Sequence, residues 1–514
     1  MTPADIIIEG SLERIIYHNT SSFFTVAQLK ARQLDRAVTI VGCLAGAAPG
    51  QVLKLRGSWD NHPRYGHQFK FQTADILLPE SVDGIQEYLS SGIIRGVGPK
   101  MAQRLVAQFG KETLHVMDAD PQRLLEVEGI GENKARRIAE AWQEQNGLKQ
   151  LLAFLQAHGL RPSYASKIFQ LFGSDSMDVI QNEPYRLAEE LPSIGFLVAD
   201  RIAMNQGGEK NDSDRIQACL CHQLEQFVSE GHVFAESSLL MDRCARSFDI
   251  QRDRVKQGLD DLIEAERVTW ELLDPSAADT AAVYFKALHV AESGIANRLR
   301  ALLSVPLVHL AIEAEDIHQE VLKQLAIKLS DDQLQVLEKL LVHRAIIITG
   351  GAGTGKTTLI RAITAVFESL QYKIKLAAPT GRAARRLAEV TRRESATIHK
   401  LLGYNPSAQR FSFNERYPLN ADVLIVDEAS MVDTLLMHHL LTALPMQARL
   451  ILVGDIYQLP SVGPGNVLAD LIVSGQVPSF ELKDIFRQAH QSPIVANAHQ
   501  IRKGAMPEVN DAIR

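Results

Sequence analysis

Four short clusters in the second half of the chain carry side chains able to handle a nucleoside triphosphate. The first is Gly350-x4-Gly355-Lys356-Thr357, within "GGAGTGKTT". Its frame is that of a phosphate-binding loop. The backbone of Gly351, Ala352, Gly353, Thr354, Gly355, Lys356, Thr357 and Thr358 cradles phosphates, Lys356 reaches the β and γ oxygens, and the Thr357 hydroxyl coordinates magnesium. The second is "VDEAS", where Asp427 is suited to the magnesium shell and Glu428 to activating or orienting an attacking water. In the third, "GDIYQLPSVGPG", Gln458 is an uncharged group that can sense a γ-phosphate. In the fourth, "ELKDIFRQAH", Arg487 follows a short apolar run and is suited to a terminal phosphate.

Elements that bring such clusters together are visible around them. "RAIIITG", "KIKLAAP", "DVLIVDE" and "ARLILVGD" are near-continuous apolar runs alternating with helical patterns. Such runs are expected of parallel strands buried on both faces. Ligands of open α/β sheets bind at the carboxyl ends of strands, so the clusters there converge on one site. The second run leads into "APTGRAARRL", where Thr380, Gly381 and Arg382 open a helix beside the nucleotide strands. Thr397 and His399 of "TIHKLL" join that neighbourhood. None of these five is needed to hold a nucleotide, so a second anionic partner is implied. Arg392 and Arg393 read as a solvated face.

The first half is built differently. Before residue 80, short alternating segments such as "AVTIVGCLAG" and "HQFKFQTADI" predict a small β-barrel, either of oligonucleotide-binding type or serving as a packing module. A repeat then starts at residues 96, 129, 159 and 193: "GVGPKMAQRL", "GIGENKARRI", "GLRPSYASKI" and "SIGFLVADRI". Each copy reads as a helix-hairpin-helix. Glycines turn the backbone sharply and leave amides free at the next helix start, where they can hold a DNA phosphate without reading bases. Gly96, Gly98 and Lys100 carry this pattern in the first copy, and Gly129, Gly131 and Lys134 in the second. Arg161 and Ser193 replace glycines in the third and fourth, which suits a structural role. Residues 211–272 suggest three helices and a strand in a winged-helix-like packing module. "DPSAADTAA" (274–282) reads as a turn or linker, followed by a helical stretch at 284–303.

Composition narrows the classes further. The 514 residues are 46% hydrophobic and 22% charged, with formal net charge -7. That is a multidomain globular chain and no polycation, so nucleic-acid contact relies on local basic surfaces. Four cysteines are too few for a disulfide framework, and "CLCH" (219–222) lacks a second ligand pair at zinc spacing, leaving a core role. No basic leader with an apolar stretch opens the chain, and no apolar run approaches membrane-helix length. A cytoplasmic protein is expected.

Taken in order, "GGAGTGKTT", "APTGRAA", "TIHKLL", "VDEASM", "GDIYQLPSVGPG" and "FRQ" resemble the motifs of superfamily 1 DNA helicases of the RecD-like, TraA-related branch. The N-terminal arrangement resembles the N-terminally extended members. The resemblance implies multidomain α/β and α architecture: a small OB-like domain (1–80), tandem hairpins (81–206), a winged-helix-like module (207–273), a linker helix region (274–328) and a RecA-like P-loop motor domain (329–485). It also implies ATP- and Mg2+-dependent 5′→3′ movement along single-stranded DNA, with separation of duplex at junctions, in repair or recombination. The expected protein is a monomer, with repair partners unassigned. Gln333 matches the family's adenine-reading glutamine. Lys356, Thr357, Asp427, Glu428, Gln458 and Arg487 match its nucleotide-site positions, and Thr380, Gly381, Arg382, Thr397 and His399 its strand-binding face. Residues 404–420 fall where the family inserts a fork-splitting β-hairpin, or form a surface loop. Family members continue past "FRQ" into a second motor domain. Residues 486–514 therefore read as its start, and the chain as the N-terminal portion of a longer helicase that binds ATP without translocating. The alternatives are an ATP- and DNA-binding adaptor and another P-loop ATPase.

Overall fold

The computed structural model describes residues 6–19, 23–31, 37–44, 51–62, 66–77, 79, 81–90, 94–191, 193–273, 281–307, 319, 325, 329–351, 353–483, 497–498, 500–501 and 504–507. The chain forms two compact units, 1–218 and 219–514.

In the first unit, β1 (Ile6–His18), β2 (Phe24–Ala31), β3 (Ala37–Cys43), β4 (Val52–His62) and β5 (Gly66–Leu77) close a barrel in the order β1-β2-β3-β5-β4. Alternation in sequence becomes alternation of inside and outside: Thr25, Ala27, Leu29 and Ala31 of β2 are buried, while Phe24 and Lys30 face out. Leu12, Ile40, Leu53, Leu55 and Phe69 fill the interior.

Helices α1 (Val82–Ser90), α2 (Pro99–Phe109), α3 (Thr113–Ala119), α4 (Glu132–Ala157), α5 (Ser163–Phe172), α6 (Ser176–Asn182), α7 (Arg186–Glu190) and α8 (Phe196–Asn205) carry the four repeats. The repeats are not one even series but a pair of hairpins, duplicated. α2 ends at Phe109 before Gly110 (φ 55°, ψ -128°), and α5 ends at Phe172 before Gly173 (φ 55°, ψ -126°). Thr113 Oγ1 then donates to Gly110 O at 2.7 Å, and Ser176 Oγ to Gly173 O at 2.6 Å. Arg123 lies 5.3 Å over the Phe109 ring, and Arg186 lies 5.2 Å over that of Phe172. The first copy therefore corresponds to the third, and the second to the fourth.

Helix α9 (Ser213–Ser229), in which the division between units falls, leads to β6 (Phe234–Glu236), α10 (Ser237–Phe248), α11 (Arg252–Glu264), β7 (Val268–Leu272) and β8 (Ala281–Phe285). The strands form an antiparallel sheet in the order β6-β8-β7. The winged-helix-like boundary expected at 273 is thus too early, and Ala281 and Ala282 are not linker. They belong to the central strand, where both are buried. Small residues next to a turn-like stretch disguise a strand that has little room for larger ones. Helix α12 (Lys286–Ser304) follows.

The remaining elements are α13 (Asp331–Val342), β9 (Ala345–Gly350), α14 (Lys356–Ser369), β10 (Ile374–Ala378), α15 (Gly381–Thr391), β11 (Ser395–Thr397), α16 (Ile398–Leu401), β12 (Tyr404–Asn405), β13 (Arg410–Phe411), β14 (Val423–Val426), α17 (Thr434–Ala443), β15 (Arg449–Gly454), α18 (Val467–Ser474) and β16 (Ser479–Leu482). A parallel sheet runs β11-β10-β14-β15-β9-β16. Its four inner strands are those visible in the sequence; the edge strands are not, because β11 has three residues and β16, "SFEL", is no continuous apolar run.

Successive residues of the long strands enter two different cores. Ile347, Leu424, Val426 and Leu452 pack with Met437 and Leu440 on one face. Ile346, Ile348, Ile425 and Val453 pack with Leu359, Ile360 and Ile363 of α14 on the other. Each such side chain contributes roughly 2 kcal/mol of burial. Buried arginines close helix ends at the opposite edge from the motif loops. Arg449 Nη1 donates to the carbonyls of Leu340 (2.7 Å) and His343 (3.0 Å) behind α13. Arg344 Nη2 donates to Pro306 O at 2.6 Å.

One local expectation changes, and residues 404–417 divide into a hairpin and a following turn. The hairpin β12–β13 turns at 406–409, where Asn405 Oδ1 accepts the amides of Ser407 and Ala408 and Gln409 adopts φ 45°. Asn414-Glu415 forms a separate turn, in which Asn414 Oδ1 accepts from Arg416 N and Tyr417 N. Arg393 is no freely solvated residue: it pairs with Glu368 and donates to Thr391 O.

Candidate nucleotide site and nucleic-acid faces

Strand β9 runs into the glycine loop, and α14 begins at Lys356. Gly353 (φ 80°) and Gly355 (φ 78°) take left-handed backbone, which side chains with a Cβ rarely adopt, and so turn the loop within five residues. Lys356 Nζ donates to Gly350 O (2.6 Å) and Gly351 O (3.0 Å), and Thr354 Oγ1 donates to Gly351 O (2.9 Å). Thr357 and Thr358 occupy the first turn of α14. Ala352 and Arg487 lie outside the described residues.

Gln333 is fully buried in the first turn of α13. Its Oε1 accepts from Ser330 N at 3.1 Å, completing a reciprocal cap, and its Nε2 donates to Gly355 O at 3.3 Å. The glutamine therefore braces the glycine loop from behind.

Asp427 and Glu428 follow β14, separated from β9 by β15. Burial, and then the neighbouring Glu428, push the Asp427 carboxyl up to about 6; the Glu428 N–H (3.0 Å), Lys356 and Arg386 draw it back. Burial lowers the Lys356 ammonium, opposed by Asp455, Glu428 and Asp427. Glu428 sits in left-handed backbone (φ 53°), and its Oε2 is buried with no hydrogen-bond partner. A buried carboxylate oxygen lacking a donor, next to Asp427 and within the field of the Lys356 ammonium, is the hard-oxygen donor type that Mg2+ takes. Among the described residues no group of three or more His, Cys, Asp or Glu side chains could hold a metal ion by itself. Cys219 is buried.

At the end of β15, Asp455 is 5% exposed. Its carboxylate accepts from Tyr457 N (3.1 Å) and from Gln458 Nε2 (3.4 Å), which orients an otherwise exposed glutamine. Sequence reasoning passed over Asp455 and Arg386. Asp455 was findable by the rule that singled out Asp427, a carboxylate directly after an apolar strand.

Thr380 stands two residues beyond β10 and Thr397 ends β11, with Ala378 paired to Thr397. Both are helix caps: Thr380 Oγ1 accepts from Ala383 N and Thr397 Oγ1 from Lys400 N, each at 3.2 Å. Gly381, Arg382 and His399 are exposed beside them. The His399 ring stands 5.4 Å from Tyr404 and 5.8 Å from Phe411, at the root of the β12–β13 hairpin.

In the first unit, Gly96 (φ 93°) and Gly129 (φ 85°) make the hairpin turns. Gly98 and Gly131 are the extended N-caps of α2 and α4, with open space where a Cβ would stand. Lys100 is exposed, while Lys134 Nζ reaches Gly129 O at 3.4 Å. Arg104, not anticipated, lies over the second turn and donates to Glu128 O at 3.0 Å. The corresponding α5 and α8 starts differ, with Pro162 in helical backbone and Gly195 at φ 71°.

Known proteins align with each of these regions. Residues 5–79 match the family described as ATP-dependent DNA helicase YrrC, OB-fold domain. Residues 87–144 match a SAM-like helix-hairpin-helix tandem, 144–234 the ATP-dependent RecD2 DNA helicase HHH domain, and 328–514 an AAA domain. The RecBCD enzyme subunit RecD of Mycobacterium tuberculosis is 41% identical over 184 residues, 31% of this chain and 32% of that one. The helicase dda of phage T4 is 35% identical over 169 residues, 30% of this chain and 37% of its own. The ATP-dependent RecD2 DNA helicase of Deinococcus radiodurans is 32% identical over 515 residues, covering 98% of this chain and 71% of the relative. With glycine loop, acidic pair and hairpin helices on the same scaffold, the chain belongs to the RecD2 family of ATP-dependent DNA helicases.

Proposed function

We propose that the chain carries the ATP site and the strand-binding face of a monomeric, cytoplasmic motor for 5′→3′ movement on single-stranded DNA, one that separates duplex at junctions in repair or recombination. One observation carries the reading. A single parallel sheet presents Lys356, Asp427 and Asp455 at the ends of three strands, and the Thr380 and Thr397 caps at the ends of the next two. Val426 and Ala377 are register partners, so the acidic pair lies one strand from the second face.

The roles follow from position. Amides from Gly351 to Thr358 and the Lys356 ammonium bind the β and γ phosphates, and Gln333 braces Gly355 and faces the adenine side. Thr357 and Asp427 would hold Mg2+, which supplies charge neutralisation on the phosphate oxygens when bound. Glu428 takes the proton of the attacking water, Gln458 senses the γ-phosphate from its anchor on Asp455, and Arg487 adds positive charge there. Gly381, Arg382 and His399, with the Thr380 and Thr397 caps, line the strand path, and the β12–β13 hairpin is the wedge. Gly96, Gly98, Lys100, Gly129, Gly131 and Lys134 grip backbone phosphate.

The test is ATP turnover by the 514-residue chain with and without single-stranded DNA, beside Lys356→Ala, and strand displacement on substrates with 5′ or 3′ tails. DNA-stimulated turnover lost in Lys356→Ala is the expected result, with any strand displacement favouring 5′ tails. DNA binding with no stimulated hydrolysis would favour an adaptor and overturn the motor.

A further inference from the structure

A cavity of about 360 Å³ lies between α12 and α18, away from the nucleotide loop and the strand-binding face. Ile295, Leu299 and Leu303 of α12 and Leu471 of α18 form most of its apolar wall. Glu292 and Asp470 contribute two carboxylates to the same lining, one from each helix. The Glu292 side chain accepts one hydrogen bond, from the Tyr284 hydroxyl at 3.1 Å, and Asp470 has no side-chain partner among the described residues. Arg300 also lines the cavity yet pairs with neither acid.

Burial raises both carboxyls, and the Asp470 charge raises Glu292 further. Glu292 is half-buried and Asp470 stands at the exposed rim, and among the described residues neither is in an ion pair; His289 draws the Glu292 carboxyl down, and Arg300 is a further lining residue. Apolar walls and paired acids together complement one ligand class. We propose that this cavity is a binding site for a small organic ammonium ion with an apolar body, its nitrogen held by Glu292 and Asp470 and its body packed along Leu299 and Leu471.

The site adjoins the catalytic segments in sequence. Helix α18 begins directly after the loop carrying Asp455 and Gln458, and Thr434, another lining residue, opens α17 just beyond the Asp427–Glu428 turn. Thr434 N donates to Pro464 O at 3.0 Å, linking the two segments.

Dansylcadaverine, an alkylammonium with a naphthalene fluorophore, is the probe. Titration into the full chain should give a saturable, blue-shifted emission, displaced by octylammonium but not by octanol or octanoate. Acetylating the probe's amine should weaken binding at least about tenfold, as should the isosteric double variant Glu292→Gln/Asp470→Asn. Equal binding of the acetylated probe, displacement by octanol, or no saturable signal would overturn the proposal. If the double variant fails to fold, the displacement series decides alone. Lys356→Ala should leave probe binding unchanged, so failure of the motor reading and failure of this site are separable.

Discussion

Arg298 of α12 lies 3.2 Å from Glu415, in the turn that follows the β12–β13 hairpin. The same guanidinium donates to Leu441 O (3.1 Å) and Leu444 O (3.0 Å) at the carboxyl end of α17. The Glu415 side chain is 76% exposed, so the ion pair is screened, whereas the carbonyl contacts are half-buried. Arg298→Ala should therefore destabilise the chain by roughly 1–3 kcal/mol. Glu415→Ala should cost less than about 1 kcal/mol. Thermal melts of the two variants check the contrast, and equal losses would contradict it.

Asp455 separates binding from turnover. Asp455→Asn keeps the shape but removes the strongest electrostatic support of the Lys356 ammonium and loosens the hold on Gln458. Turnover should drop by roughly 10²–10³, while affinity for a fluorescent ATP analogue changes far less. Steady-state kinetics alongside fluorescence titration measure both.

The hairpin lysines give a salt signature. Lys100→Ala and Lys134→Ala should each weaken DNA binding to a similar degree whatever the sequence, and each lower the slope of log affinity against log salt by about 1. Fluorescence anisotropy across a salt series reads this directly. An unchanged slope would return the hairpins to a packing role.

Glu292 links stability to pH. A carboxyl raised by folding holds its proton more tightly in the folded chain than in the unfolded one. Stability is then highest below the unfolded value and falls as pH rises through the interval up to the folded value. Glu292→Gln removes that loss, so the variant should melt higher than the parent at neutral pH and converge with it in acid. Melting curves from pH 4 to 8 test the sign.

The sequence was most legible where chemistry demands fixed spacing. Gly350-x4-Gly355-Lys356-Thr357 and Asp427-Glu428 stand at strand ends because apolar runs announce the strands before them. Strand β8 was hidden because Ala281 and Ala282 carry no strand signature; a central position between two neighbours, not propensity, makes them a strand. Arg298 was invisible for a different reason. Its partners are carbonyls more than 140 positions away, and main-chain acceptors leave no trace in side-chain pattern.

The doubled hairpin unit has a consequence of its own. Both halves keep the same skeleton, with Phe109 and Phe172 under Arg123 and Arg186 and matching hydroxyl caps on Gly110 and Gly173. Only the first keeps two open glycine caps, Gly98 and Gly131. One polypeptide thus holds an internal reference for itself: transplanting "GLRP" for "GVGP" at 96–99 swaps the loop while the frame is already known to accept it. Whatever that exchange removes belongs to the loop alone.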